Sequence, residues 1–274
     1  MSKCRVCGEE YGRDDICSVC GTPRPKDEPV AAASKPVTAQ SAQEAKLKII
    51  EDAKRTVCKV NVQFSNGSAC HGTGWCGGRD IIITNAHVVD SESETVRISN
   101  LVCEFSKETG IRNNLIPMKV AYMSVVEDVA VLVPIKGHLP EEIKICEISG
   151  EDARLGEEVF TIGNPLHYKF TLMSGVVSNP NYKRRGQEAI YNSLQTTLTL
   201  NGGNSGGAVF NLDGIVVGMA TYDELHQTVD DVALATQAGV IRGTLYSVDR
   251  IHGYGFCVKG EAILACIDRA ILNK

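Results

Sequence analysis

Apolar residues are distributed along this chain in several distinct ways, and each predicts a different kind of element. Residues 1–22 hold four cysteines in two C-x-x-C pairs and few aliphatics, so they cannot close a hydrophobic core without a staple. Residues 23–42 are rich in Pro, Ala and Ser with no apolar period, which predicts a linker. Over 43–55 (QEAKLKIIEDAKR) strong helix formers take over, and Leu47, Ile50 and Ala53 fall on one side of an expected amphipathic helix. The chain then changes to short runs rich in Val, Ile and Thr, broken by Gly, Asn, Asp and Pro: VCKVNVQF, DIIITNAHVV, TVRIS, VAVLVPI, EEVFTIG, TLMSGVVS, SLQTTLTL, GAVFN, GIVVGMATY and GYGFCV. Many short strands with turn signals between them predict an all-β sandwich or barrel. No helix-length pattern alternates with them, which argues against a parallel α/β sheet. The final segment, GEAILACIDRAILNK, repeats Ile263, Ile267 and Ile271 at spacing four beside Leu264 and Ala270, the pattern of a closing amphipathic helix.

Composition narrows the picture. Of the 274 residues 43% are hydrophobic and 22% charged, so most of the chain can bury a core. The formal charge of -5 gives no global electrostatic case for nucleic acid or an anionic membrane, and Lys183-Arg184-Arg185 reads as a solvated loop. The first residues contain no apolar signal core and no run approaches a membrane span, so the expected location is the cytoplasm. Cys58, Cys70, Cys76, Cys103, Cys146, Cys257 and Cys266 are odd in number and scattered through apolar segments, which predicts reduced core thiols.

Three segments carry candidate chemistry. In GGNSGGAVF at 202–210, glycines surround Ser205 just before an apolar strand. Acyl transfer needs backbone N–H groups converging on a developing oxyanion, and a glycine loop lets the amides of Gly203 and Ser205 do so. A Gly-rich turn with a serine is more often a simple turn, and TNAHVV at 84–89 adds the needed support. There His87 ends an all-apolar strand, where an imidazole can act as general base and then general acid. In EDVAVLV at 127–133, Asp128 precedes a core strand and, set against His87, would fix its tautomer and stabilise the imidazolium.

Together with IGNP at 162–165 and SGVVS at 174–178, these segments resemble the HtrA/Deg branch of the chymotrypsin-like serine proteases over roughly residues 55–270. The resemblance implies a double six-stranded antiparallel β-barrel with short N- and C-terminal helices, barrel one at about 55–148, barrel two at about 155–258 and the closing helix at about 260–272. It implies a serine endopeptidase of protein substrates with His87, Asp128 and Ser205 as triad and the amides of Gly203 and Ser205 as oxyanion hole. It also implies Thr199 at the base of the primary pocket, with Thr221 and Tyr222 as further lining. A non-acidic base disfavours strict cleavage after Lys or Arg, and small or medium aliphatic residues are expected. The chain stops after the closing helix, so no PDZ domain is expected.

Cys4-x-x-Cys7 and Cys17-x-x-Cys20, each followed by glycine, present four thiolates in the manner of a minimal zinc ribbon spanning 1–22. Four protein ligands leave no open coordination position, so one structural zinc is expected and no catalytic cofactor. Two disulfides or a redox C-x-x-C are the competing reading. The basic residues here are offset by Glu9, Glu10, Asp14 and Asp15, which favours a protein partner over nucleic acid. A second class of function stays open: a catalytically silent protease-fold scaffold, or an interaction protein working through the ribbon. A protease held latent until a partner binds is the third.

Overall fold

The computed structural model describes Val19 and residues 39–91, 93–111, 113–166, 168–185, 190–236 and 239–272, with side chains at all of these except 39–40, 184–185, 190–192 and 222–254. Cys4, Cys7, Cys17 and Cys20, expected to hold zinc, lie outside the described residues, as does most of the expected linker. Two compact units divide the chain, Met1–Gln43 and Glu44–Lys274. The architecture below is that of the second.

Helix α1 (Ala39–Lys54) starts inside the segment expected to be linker. Its buried side also differs from expectation: Ile49, Ile50 and Ala53 pack on the core, while Leu47 is 52% exposed. Residues 49, 50 and 53 satisfy the i, i+3, i+4 spacing among themselves, and Leu47 falls off that stripe.

Two closed antiparallel barrels follow. The first contains β1 (Val57–Phe64), β2 (Ala69–Gly78), β3 (Ile81–Thr84), β4 (Ile98–Phe105), β5 (Leu115–Ser124) and β6 (Val129–Pro134), in the order β1-β2-β3-β6-β5-β4. The second contains β7 (Glu158–Gly163), β8 (Thr171–Arg185), β9 (Ile190–Thr196), β10 (Ala208–Asn211), β11 (Val216–Thr236) and β12 (Gly239–Lys259), in the order β10-β11-β12-β9-β8-β7. A single turn of helix α2 (Ala86–Val89) follows β3, and α3 (Gly260–Leu272) closes the unit. This is the chymotrypsin-like, all-β architecture expected from the sequence.

Each barrel has its own core. Cys58, Val60, Ile82, Phe105, Met118 and Leu132 fill the first, and Val159, Leu194, Leu198 and Val209 the second. A third cluster joins Trp75, Ile83, Val131, Phe160, Phe210 and Met219 of both barrels to Ile263 and Ile267 of α3. On α3, Ile263, Ile267 and Ala270 are buried, whereas Ile271, expected on the same face, is 52% exposed. Among the described residues no helix is long and apolar enough to cross a membrane.

The strand readings miss four features. β2 is hidden by its glycines, which lower β-propensity but are required sterically, because a Cβ on Gly74 would lie 2.8 Å from a Val60 methyl. β4 and β5 alternate between buried and exposed positions, and only the start of β4 was legible from TVRIS. Lys183-Arg184-Arg185 is not a loop: it ends β8, paired with Asn192, Tyr191 and Ile190 of β9. Finally, β11 and β12 run far beyond GIVVGMATY and GYGFCV as a continuous hairpin ladder.

Candidate active site

Two β-strand ends and one loop supply the site. His87 sits in α2 directly after β3, with Val88 and Val89 anchored in the first barrel's core. Asp128 stands in the turn before β6 with φ +53°, in the left-handed region that aspartate tolerates better than most residues. Such strain persists only where surrounding contacts hold it. Here the Asn85 amide donates to the Asp128 carbonyl at 2.8 Å.

The Asp128 carboxylate is the most heavily bonded group in the site. His87 Nδ1 lies 2.9 Å from Oδ2 and 3.0 Å from Oδ1, and the His87 backbone N–H donates to Oδ1 at 3.1 Å. The Thr221 hydroxyl donates to Oδ2 through a short hydrogen bond. A carboxylate so placed makes Nδ1 the protonated nitrogen and leaves Nε2 free to accept a proton. The His87 side chain is 44% exposed and Asp128 27%, so the imidazole opens to solvent while its partner is shielded.

Ser205 is held by its backbone. Its carbonyl accepts the Thr73 N–H at 2.8 Å, and Gly72, next along β2, is wedged between that carbonyl and Val88. The serine loop therefore lies one residue's width from the His87 helix. The Ser205 hydroxyl itself donates to the Thr221 carbonyl at 3.0 Å. It is thus brought to the same strand residue that holds Asp128.

Turning the loop depends on positive φ at Gly203 (+99°) and Gly206 (+86°). A Cβ on Gly206 would lie 2.1 Å from the Thr73 carbonyl oxygen, and one on Gly203 would lie 2.2 Å from that of Asn164. Glycine is therefore the residue that fits both positions. Asn204, Gly206 and Gly207 spend their amides on Asn201, Ala220 and Asn204. The amides of Gly203 and Ser205 have no acceptor among the described residues.

Several positioning residues escaped the sequence reading. The Thr73 hydroxyl donates to the Gly203 carbonyl at 2.7 Å and accepts the Asn164 N–H at 3.0 Å. Thr84 in turn donates to the Thr73 carbonyl at 2.7 Å. Asn164 is fully buried and its side-chain oxygen accepts the Phe170 N–H at 3.2 Å. The signals were present as the TGW and IGNP segments, yet nothing in their spacing tells that they meet the serine loop.

The residues expected to line a specificity pocket fare differently. Thr199 is exposed between buried Leu198 and Leu200. Thr221 is 8% exposed and turns its hydroxyl to Asp128, so its side chain supports the carboxylate. Tyr222 pairs through its backbone with Phe256, and its side chain lies outside those described. The cysteine expectation holds for six of the seven sites: Cys58, Cys76, Cys103, Cys146, Cys257 and Cys266 are buried and free, while Cys70 is free and exposed.

The chain has relatives among known proteins. The chain is 33% identical to serine protease HTRA1A of Danio rerio over 158 residues, which is 55% of this chain and 29% of that protein. It is 28% identical to the periplasmic serine endoprotease DegP of Salmonella typhimurium over 184 residues, 60% of this chain and 36% of that protein. It thus spans roughly a third of the length of these curated relatives. The Rv3671c protease of M. tuberculosis in its active form shares the fold, with a TM-score of 0.61 at 18% identity over 81% of this chain and 83% of that one. The model of the trypsin-like peptidase domain matches residues 72–219, more than half of the chain and the whole stretch from Gly72 through His87 and Asp128 to the Ser205 loop. The chain therefore belongs to the trypsin-like peptidase domain family.

Proposed function

We propose that this chain is a serine endopeptidase of the HtrA/Deg type that cleaves protein substrates through an acyl-enzyme. The observation that carries the reading is the His87–Asp128 pair at 2.9 Å, completed by Thr221 and set beside the glycine loop that presents Ser205. In the reaction Ser205 Oγ leaves the Thr221 carbonyl, passes its proton to His87 Nε2 and bonds to the scissile carbonyl carbon. The oxyanion is stabilised by the Gly203 and Ser205 amides, whose donors have no other acceptor among the described residues. Collapse transfers the proton from His87 to the leaving amine, and water then repeats the sequence to release the acyl group. Asp128 stays ionised, orienting the ring and balancing the imidazolium.

A fluorophosphonate probe tests this directly. Wild-type protein is expected to label, and Ser205→Ala to lose all labelling. A wild type that fails to label, with or without candidate partners, sinks the proposal in favour of a silent protease-fold scaffold. Cleavage is proposed after small or medium aliphatic residues, since Thr199 supplies no carboxylate for a basic side chain. Peptide-library profiling dominated by Arg or Lys at the cleaved bond would refute that.

The N-terminal segment is proposed to hold one structural zinc through Cys4, Cys7, Cys17 and Cys20, whose four thiolates suit the tetrahedral preference of the ion. Such binding contributes on the order of 10 kcal/mol to folding a segment with so few aliphatics. Native mass spectrometry is expected to show one zinc per chain and none in Cys4→Ser. A protein partner or substrate recruited by this ribbon, in the cytoplasm, completes the proposal.

A further inference from the structure

The serine loop rests on a soft contact. Asn204, flanked by the Gly203 and Ser205 amides proposed to receive the oxyanion, is 1% exposed and donates its side-chain amide to the Met173 sulfur at 3.2 Å. That is its only side-chain hydrogen bond among the described residues, and its carboxamide oxygen is buried with no partner. A thioether is a weak acceptor, so the side chain at the centre of the loop is only lightly satisfied. No free space lies behind the carboxamide, because a Cβ on Gly163 would sit 2.5 Å from Asn204 Oδ1. The backbone is tied as well: the Asn204 N–H donates to the Asn201 carbonyl and its carbonyl accepts the Gly207 N–H, both at 2.9 Å. A displacement of the Asn204 side chain is therefore passed on to the loop.

Met173 sits where its sulfur can be altered chemically. It lies on β8, half-buried against the second barrel's core and directly opposite Thr161 of β7. Opposed residues of an antiparallel pair share a face. The Thr161 hydroxyl is buried with no partner and stands beside the serine loop, 3.0 Å from where a Cβ on Gly207 would lie. The sulfur thus has one donor on Asn204 and a second, uncommitted donor on the opposed strand. Met118 and Met219 are 2% and 0% exposed, whereas Met123 is 38% exposed on β5 of the first barrel. A small oxidant can therefore reach Met123 and Met173, and of these it is Met173 that touches the serine loop.

Resting on the proteolytic reading above, we propose that Met173 is a redox modification site at which a hydroperoxide slows acylation of Ser205. In the step a sulfur lone pair attacks the terminal peroxide oxygen and the O–O bond breaks. That oxygen stays on sulfur as the sulfoxide, its proton passes to the departing oxygen, and water or an alcohol leaves. Sulfur gives up the two electrons that reduce the peroxide. The change puts a polar oxygen where a weak acceptor stood, and methionine sulfoxide reductases reverse it. Asn204 Nδ2 and the Thr161 hydroxyl draw the new oxygen to their side of the sulfur. At 3.2 Å the sulfur and the amide nitrogen are already in contact, so the oxygen fits there only if Asn204 gives way. The loop follows, and the Gly203 and Ser205 amides leave the positions from which they would meet the oxyanion.

The test treats full-length protein with hydrogen peroxide and then with dithiothreitol, which returns sulfenic acids and disulfides to thiols and leaves the sulfoxide in place. Peptide mass spectrometry follows oxidation at Met173. The rate of fluorophosphonate labelling at Ser205 is expected to fall about tenfold or more in step with that oxidation. Met173→Leu lacks the sulfur and keeps Met123, and its labelling rate, whatever the starting value, is expected to be the same before and after peroxide. An equal fall in Met173→Leu overturns the proposal, as does an undiminished rate in protein whose Met173 is oxidised. A second readout does not depend on activity. In protein made with asparagine carrying the heavy nitrogen isotope, the Asn204 side-chain amide resonances, assigned with Asn204→Asp, are expected to shift on oxidation, and unmoved resonances also overturn the proposal. The untreated protein keeps the two readings apart. Labelling that oxidation leaves unchanged removes the redox site alone. A protein that never labels removes proteolysis, and the amide resonances then decide the Met173 site by themselves.

Discussion

At the residue scale, Thr221 joins the two halves of the site. Its hydroxyl holds Asp128 and its carbonyl receives the Ser205 hydroxyl, so one strand residue is bonded to both the acid and the proposed nucleophile. A hydrogen bond to a charged group is worth roughly 1.5–3 kcal/mol. Thr221→Val keeps the shape and the backbone carbonyl while deleting the hydroxyl. The expected outcome is a loss of about tenfold or more in kcat with little change in KM and a melting temperature lowered by several degrees. Activity equal to wild type would show that the His87 contact alone orients the carboxylate. His87, Asp128 and Ser205 were readable because each lies in a short, chemically distinctive segment at a strand boundary. Thr73, Asn164 and Thr221 were not read as supports, because a threonine or asparagine announces nothing until the fold brings its partner within 3 Å.

At the element scale, periodicity located the closing helix correctly and misjudged only its outer turn. Ile263 is fully buried against the cluster shared by the two barrels, whereas Ile271 is 52% exposed. Deleting a buried isoleucine side chain to alanine removes its transfer energy and leaves a cavity, at a cost of roughly 2–5 kcal/mol. Ile263→Ala is therefore expected to lower the urea midpoint strongly, and Ile271→Ala to change stability by no more than about 0.5 kcal/mol. Comparable losses in the two variants would contradict this placement of α3. For strands the pattern worked where Val and Ile dominate, as in β1, β3, β6 and β10. It failed at β2, whose glycines are chosen for the side chains of Val60, Ile82 and Val88 that press on them from neighbouring elements. Such contacts are invisible along one strand.

For the whole molecule, burial of thiols couples stability to alkaline pH. Burial pushes Cys146 and Cys257 up to about 12 and Cys76 to about 11, against an ordinary 9.0. Cys58 is also raised, first by burial and then by its hydrogen bond with Cys103. The folded state keeps these protons at a pH where the unfolded chain has released them. Stability is therefore fully present below about pH 9 and falls as pH rises toward 12, each thiol lowering the folding constant by up to about tenfold per pH unit. Urea denaturation between pH 8 and 11 is expected to show a falling midpoint, with a shallower slope in Cys257→Ala. A flat profile would mean that these thiols reach solvent in the native state.

Local pattern was enough to indicate the β-rich class and both flanking helices, and to single out the three proposed site residues and the cysteine pairs proposed to hold zinc. Each of these depends on residue type and on spacing within a few positions, which a one-dimensional chain displays. Barrel closure, the convergence of Thr73, Asn164 and Thr221 on the serine loop and the outward run of the β11–β12 ribbon were decided in three dimensions. The pairs that create them, such as Thr73 with Gly203 and Thr221 with Asp128, are separated by 130 and 93 positions. Their meeting depends on strand register and core packing, which arise when the barrels close.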